Sequence, residues 1–445
     1  MIIRGLIRRH LHIVSKSKTN IKPASPTPLN LKPYILPLHD LGLPGPYTPM
    51  IFFYSNPQSL AHKATIPNLL KNSLSNTLSK YYPFAGKLSS SGSRIEYNDQ
   101  GIEFFEAQVA CKLSEILEKT PTRDEEDGYG HLCPPGTIWG PLLSSGNLMA
   151  VQLNHFSCGG IAVAVSLSHS IADALTLLSF LSYWASLCRD PDNEEKLVHL
   201  SPTFLNELQQ SSPPSCNDDL TAFEFSHPEK FWITTEIVFP NSKIAKLKAE
   251  VEMQDRQDGL NQNYTRNELV TALLYRCAVG AATASNSGAY TKSVLMNTIN
   301  MRPLMDPPLP KTSVGNLIAI NHVPTSTMNE TRLNTLIAQM KKGKMQLKGT
   351  KSLVDGKNLA QILKYAKTDH KPYYVSSICN FPLYDEMDFG WGRPVKAALV
   401  DIGLYNSAVL MDTPSGDGIN TIIGLEEQDM KNFLADKDLL AYASF

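Results

Sequence analysis

With 445 residues, 42% of them hydrophobic and 19% charged, the chain has the length for two ordinary domains and the composition of a globular protein, neither disordered nor fibrous. A net charge of -1 provides no general attraction to nucleic acid, so an anionic ligand has to be held by a local patch. The seven cysteines are scattered, odd in number and never in C-x-x-C spacing, which favours free thiols over a disulfide framework or a cysteine zinc site; no apolar run is long enough to span a bilayer.

Met1 to Val14 reads M-I-I-R-G-L-I-R-R-H-L-H-I-V, basic and amphipathic with no acid. That suits either an organelle presequence or a basic lead-in to the first strand, and it lacks the long uncharged core of a secretory signal. The lead-in is the favoured reading, with the protein in the cytoplasm and Met1 to about Asn20 dispensable for catalysis. Pro23 to Pro28 (P-A-S-P-T-P) is extended and turn-prone, and Ile51 to Tyr54 is a short strand. Ile66, Leu70, Leu74, Leu78 and Tyr82, each four apart, mark one face of a helix that Pro83 and Gly86 end. Ile95 to Ala107 reads as a hairpin around Asn98-Asp99-Gln100-Gly101. Met149 to Asn154 and Ile161 to Ser168 are strands separated by a turn at Cys158-Gly159-Gly160. In the second of them Ile161, Val163, Val165 and Leu167 face one way, and the small residues Ala162, Ala164, Ser166 and Ser168 face a close neighbour on the other side. From Ile171 the period turns helical through Ala174, Leu175, Leu177, Leu178 and Leu181. Cys188 to Pro228 is rich in Pro, Ser, Asn and Asp and reads as a linker. Asn267 to Val279 is a helix, with Thr265 as its N-cap. The mixture makes an α/β chain divided into an N-terminal domain (1–190), a crossover linker (191–228) and a C-terminal domain (229–445).

The chemistry centres on His169-Ser170-Ile171-Ala172-Asp173. A histidine where a strand hands over to a helix projects into the cleft between them, and imidazole titrates near neutrality, so it can take a proton from an alcohol. Asp173, four residues on and in the first helical turn, either orients the imidazole or turns away into a structural ion pair. Alone, H-x-x-x-D does not separate a base from a histidine satisfied in a core; the small-residue strand before it and the helix after it favour the base. The chain has no G-x-S-x-G, no H-E-x-x-H and no P-loop, and Gly390-Trp391-Gly392 fails as a dinucleotide fingerprint because Val395 stands where a third glycine belongs.

His169 to Asp173 resembles the H-x-x-x-D motif of the BAHD acyltransferases, a plant family, and Asp388-Phe389-Gly390-Trp391-Gly392 matches that family's D-F-G-W-G. Lys22-Pro23 through Pro28, Tyr82 through Lys87, Phe156 through Gly160, Asn300-Met301-Arg302, Pro307 through Pro310 and Gly315-Asn316 also resemble family markers, in family order, from about Ile21 to the C-terminus. The opening segment and the S-H-S-I-A-D-A form of the first motif look most like the branch that acetylates alkaloid, benzyl and terpenoid-type alcohols. The resemblance implies two similar mixed-sheet domains flanked by helices, chloramphenicol-acetyltransferase-like, with a channel at their interface and His169 at its midpoint. It implies an acyl-CoA-dependent O-acyltransferase, with acetyl-CoA or another acyl-CoA as co-substrate and a small-molecule alcohol as acceptor. His169 is then the general base, with no metal, no permanently bound cofactor and no covalent acyl-enzyme. Asp173 and Arg302 pair to hold the strand–helix corner. Asp388, Gly390, Trp391 and Gly392 shape the C-terminal domain near the CoA entrance. Ser376, Ser377 and Thr265 are candidate CoA contacts. A cytoplasmic monomer is expected.

Where relatives commonly read T/S-S-W-x-R before D-F-G-W-G, this chain has Ser376-Ser377-Ile378-Cys379-Asn380, so Ile378 replaces an indole and Asn380 an arginine. Two rival readings stand beside acyl transfer: the same fold running an elimination or rearrangement with His169 as base, and a non-catalytic binding protein.

Overall fold

The computed structural model describes residues 13–28, 34–36, 46–55, 65–89, 94–97, 99–120, 122, 128–139, 146–204, 232–257, 259, 262–351 and 368–444. Its strands in chain order are β1 (Ile13–Ile21), β2 (Tyr34–Ile35), β3 (Tyr47–Tyr54), β4 (Lys87–Leu88), β5 (Arg94–Glu96), β6 (Ile102–Val109), β7 (Met149–Phe156), β8 (Ile161–Ser168), β9 (Trp232–Pro240), β10 (Ser293–Asn300), β11 (Ile318–Thr325), β12 (Lys371–Ser377), β13 (Lys396–Leu399), β14 (Ser407–Asp412) and β15 (Gly418–Glu426). Its α-helices are α1 (Ile66–Lys80), α2 (Leu113–Leu117), α3 (Ala174–Arg189), α4 (Asn241–Gln257), α5 (Arg266–Ser285), α6 (Leu333–Gln346), α7 (Glu427–Leu434) and α8 (Lys437–Tyr442).

Two six-stranded mixed sheets form the frame, in spatial order β1-β6-β7-β8-β3-β13 and β11-β10-β12-β14-β15-β9, with a small sheet β2-β5-β4 beside them. Within them β6–β7, β10–β12 and β12–β14 run parallel and the other pairs antiparallel. The four-apart stripe of α1, Ile66, Leu70, Leu74 and Leu78, is fully buried, and Trp184 of α3 donates from its indole to Leu70 O and Ser73 Oγ. These helices cover one face of the first sheet. The apolar face of β8 packs in that core, while Ala162 and Ala164 join Ile51, Phe53, Tyr129 and Leu132 in a separate cluster. The neighbour anticipated by the small residues is therefore the chain around 129–138, and Thr137 Oγ1 donates to Ser166 Oγ at 2.9 Å. No α-helix among the described residues is long and apolar enough to cross a membrane.

Several expectations need correction. Residues 95–107 are not a hairpin: β5 pairs with β2 and β4, and β6 pairs with β1 and β7, in different sheets. The turn residues are spent elsewhere. Asp99 accepts hydrogen bonds from Thr27 N and Oγ1, and Gly101, at φ +82, lies so close to Ile21 that a Cβ would sit 2.2 Å from its carbonyl oxygen. The basic segment runs into edge strand β1 at Ile13–Ile21, which pairs along β6, so the stretch up to Asn20 includes part of the first sheet. The strand carries Lys16 and Lys18, with Lys18 bound to Glu103 at 2.9 Å, a charged edge that discourages strand addition. The helix after His169 starts at Ala174, because Asp173 caps it instead of sitting in its first turn. The second half of the chain is not confined to the second sheet either: β13 pairs antiparallel with β3 at the edge of the first. Of the expected linker, residues 205–228 lie outside the described residues.

Candidate active site

The end of β8 is held from several sides. Ser168 N donates to Leu148 O, His169 N donates to Pro46 O at 2.9 Å, and Asn316 Nδ2, from the second half, donates to His169 O at 2.6 Å. The imidazole lines a cavity of about 200 Å³ between the two halves. Its Nδ1 is buried with no hydrogen-bond partner in the structure. Desolvation by burial lowers the His169 pKa below its ordinary 6.5, against the opposing pull of its own backbone, Asp173 and Asn316. The neutral, proton-accepting form is therefore the resting form at cellular pH.

Asp173 does not orient the imidazole. Its Oδ1 accepts from Thr176 N at 2.8 Å as the N-cap of α3, and its Oδ2 accepts from Leu317 N at 3.0 Å. Arg302 grips both oxygens, Nη1 to Oδ2 at 2.7 Å and Nη2 to Oδ1 at 3.1 Å. The two side chains are only 4% and 2% exposed, so the pair sits in low dielectric where a bidentate geometry matters most. Arg302 also donates to Ser313 O, Asn300 Oδ1 and Thr176 Oγ1, which leaves no donor idle. Burial alone would raise the Asp173 pKa; the Arg302 charge, with hydrogen bonds from Arg302 and Thr176, outweighs it and holds the carboxyl below the ordinary range.

The cavity floor is the inner face of the second sheet, where alternation puts Thr298 and Asn300 of β10, Ile318 and Ile320 of β11, Tyr374 and Ser376 of β12, and Ser407 and Val409 of β14 on one side. The roof is the His169–Leu175 corner with Pro46, Trp139, Ile402 and Leu404. Ser376, Ser377 and Ile378 all line it; Ser376 Oγ donates to Thr298 Oγ1 at 2.9 Å, and Ser377 Oγ accepts from Cys379 N at 3.2 Å. Leu175 and Phe381 are shared with an open cleft of about 790 Å³ that carries Arg266, Lys311 and Arg393 together with Asp385, Glu386 and Asp412, with Arg266 paired to Asp412 at 3.2 Å and Arg393 paired to Asp385. Cavity and cleft together run along the interface of the halves. Asn380 lines the cleft.

Thr265 lines neither space: its hydroxyl accepts from Glu268 N in the capping box of α5, and Arg266 beside it lines the cleft. The 388–392 segment also lies outside both. Asp388 Oδ1 accepts from Gly390 N and Gly392 N, each at 2.8 Å, with both glycines at positive φ near 100–110°. Phe389 and Trp391 stack at 5.6 Å and meet Tyr54, and Phe389 meets Trp184, so the motif packs on the first half and not within the C-terminal domain as expected. Sequence reasoning assigned no role to Asn316, Thr176, Thr298 or Trp139. Asn316 stood in a family marker without a function; Thr298, two residues before Asn300 on the same strand face, was reachable by alternation. Trp139, at φ +46 with its indole donating to Val400 O, leaves no such signal.

The Transferase family model matches residues 11–440. The chain is 37% identical to akuammiline synthase 1 of Alstonia scholaris, over 96% of this chain and 97% of that protein. It is 35% identical to a 17,18-epoxy-17-hydroxycur-19-ene N-malonyltransferase of Strychnos nux-vomica (96% and 90%) and 34% identical to deacetylvindoline O-acetyltransferase of Catharanthus roseus (96% and 97%). Among solved structures, vinorine synthase superposes with a TM-score of 0.82 at 29% identity over 98% of each chain. F. graminearum TRI101, complexed with coenzyme A and deoxynivalenol, shares the fold at a TM-score of 0.67 and 14% identity, over 93% of this chain and 99% of that one. A buried histidine corner between two acetyltransferase-like sheets, the motifs in order and these full-length matches make the chain a member of the Transferase family, the plant BAHD acyltransferases, and an acyl-CoA-dependent acyltransferase.

Proposed function

We propose that the protein is an acetyl-CoA:alcohol O-acetyltransferase of plant specialised metabolism, with His169 as general base. The observation that carries the reading is His169 itself: a neutral imidazole, its backbone clamped from both halves, lining a cavity that shares Leu175 and Phe381 with a cleft carrying Arg266, Lys311 and Arg393. Coenzyme A occupies the cleft, its phosphates near Arg266, Lys311 and Arg393, and the thioester reaches the cavity past Ser376 and Ser377. The alcohol oxygen bonds to the thioester carbonyl carbon as its proton passes to His169, and the carbonyl π pair moves onto oxygen. The pair then returns, the C–S bond breaks, and the CoA thiolate takes the proton back from the imidazolium. The cavity lining is largely apolar, with Ile, Leu, Val, Ala, Pro, Phe, Trp and Tyr side chains, which suits an uncharged acetyl group and a largely hydrocarbon acceptor such as an alkaloid, terpenoid or aromatic alcohol. The protein acts as a cytoplasmic monomer.

The test is free thiol release from acetyl-CoA with a panel of such alcohols. A His169→Ala protein that folds should lose ~10²–10⁴ in kcat, about 3–5 kcal/mol of barrier, with little change in CoA binding. Wild-type kcat in that variant would remove the base. Relatives called synthases, such as akuammiline synthase 1, favour one second reading, in which His169 serves an elimination or rearrangement; turnover of a substrate without CoA would select it.

A further inference from the structure

We propose that the hydroxyl of Thr298 donates to the oxyanion of the tetrahedral intermediate, with Ser376 as its hydrogen-bonded second member; this rests on the acyl-transfer reading.

The reaction needs a donor on the wall facing His169. When the alcohol oxygen bonds to the thioester carbon, the π electron pair of the carbonyl becomes a full negative charge on oxygen, and a preorganised donor lowers that barrier more than any other single contact. Ile378, which lines the cavity next to Ser377, offers no side-chain donor. Three nearby donors are committed: Trp139 Nε1 to Val400 O at 2.8 Å, Ser407 Oγ to Leu404 O at 2.5 Å, and the Arg302 guanidinium to Asp173 and its surroundings.

The Thr298–Ser376 pair differs. β10 and β12 run parallel with Asn297 opposite Val375, so the next residues, Thr298 and Ser376, stand side by side on the face that floors the cavity. Both remain partly exposed there. Two hydroxyls that bond to each other use one of their two hydrogens and leave the other to give. Ser376 Oγ donates to Thr298 Oγ1 at 2.9 Å, so the free hydrogen is that of Thr298. Accepting one hydrogen bond polarises a hydroxyl and strengthens the one it donates. Thr298 is β-branched and sits in an interior strand, between β11 and β12, so its Oγ1 is held with little rotamer freedom. The pair is thus a short hydroxyl chain ending at the cavity, opposite the base, and it takes up the charge without itself giving up its proton.

Steady-state kinetics with acetyl-CoA and an alcohol that the wild type acetylates test it. Thr298→Val keeps the shape and removes the hydroxyl. It should lower kcat ~10²-fold with the KM for acetyl-CoA and the Tm nearly unchanged, because the contact exists only in the transition state. Thr298→Ser should restore most of the rate. Ser376→Ala should cost less than Thr298→Val, and the double variant should be no slower than Thr298→Val alone, since the two act as one donor. Thr298→Ala repeats the test if the valine variant folds poorly. Unchanged kcat in Thr298→Val, losses that multiply in the double variant, or a loss that Thr298→Ser does not recover would each overturn the assignment. A wild type that transfers no acyl group from any acyl-CoA would remove the parent reading and this one with it, an outcome distinct from an active Thr298→Val.

Discussion

His169 shows how one environment sets both position and protonation. Its backbone is pinned by Pro46 and Asn316, and its ring is desolvated between the halves, so it sits ready as a base and resists becoming an imidazolium before substrate arrives. The sign follows from the depressed pKa: the active, neutral form persists as pH falls through the ordinary histidine value of 6.5 and is lost below it. The acid limb of kcat/KM, which reports the free enzyme, should therefore have its midpoint under 6.5, and the limb should vanish in His169→Ala. A pH series of kcat/KM at subsaturating alcohol and acetyl-CoA would read it directly. A midpoint above the ordinary value would mean that something stabilises the imidazolium and that burial is not the dominant influence. Asp173, at the other end of the motif, has an unrelated task, and the motif alone did not tell the two apart. Its carboxylate was open to either an imidazole or a cation; the geometry spends all of it on Arg302, Thr176 and Leu317.

Elements whose signal is a local periodicity were legible. The α1 stripe, the β7–β8 turn and the Thr265 cap of α5 all follow from residues a few positions apart. What was not legible depends on partners far along the chain. The piece 95–107 looked like a hairpin because turn residues sit between two apolar runs. Its Asp99 is taken by Thr27 and its strands by different sheets, and nothing within thirteen residues announces that. The lysine-bearing β1 was not legible as a strand for a related reason: residues 14–20 are exposed on both faces, so this edge strand carries no alternating hydrophobic pattern. Its pairing with β6 carries a consequence. Deleting residues 1–21 should bare the β6 edge, lower the Tm by several degrees and promote association, visible in thermal melts and in size-exclusion chromatography. Unaltered stability and elution would show that β1 contributes nothing the sheet requires. The site was legible in part. His169, Ser376 and Ser377 line one cavity as a motif reading anticipates, whereas Thr298 and Trp139 reach it only through sheet register and a left-handed turn.

Across the molecule, the two halves are joined by more than a linker. Strand β13 from the second half completes the first sheet, and the 388–392 segment just before it packs Phe389 and Trp391 on Tyr54 and Trp184. The deepest tie is Asp173 to Arg302, between the cap of α3 and the end of β10, directly behind the histidine corner. Removing either partner leaves the other charge buried and unpaired, a loss of about 3–5 kcal/mol. Removing both leaves no orphan charge, so the double variant Asp173→Ala/Arg302→Ala should be nearly as stable as, or more stable than, the worse single variant. The coupling in a double-mutant cycle should be large. The pair also sets an acid limit. Asp173 has its folded pKa below the ordinary 3.8, so its contribution is full above that value and lost as pH falls through the depressed one. Wild-type stability should thus drop in that acid window more steeply than that of the double variant, which has no carboxylate to protonate there. Denaturant melts at neutral pH and through the acid range, on wild type, both singles and the double, supply the whole comparison. Strictly additive single losses, or parallel acid profiles for wild type and double variant, would show that the guanidinium and carboxylate are neighbours without being a latch.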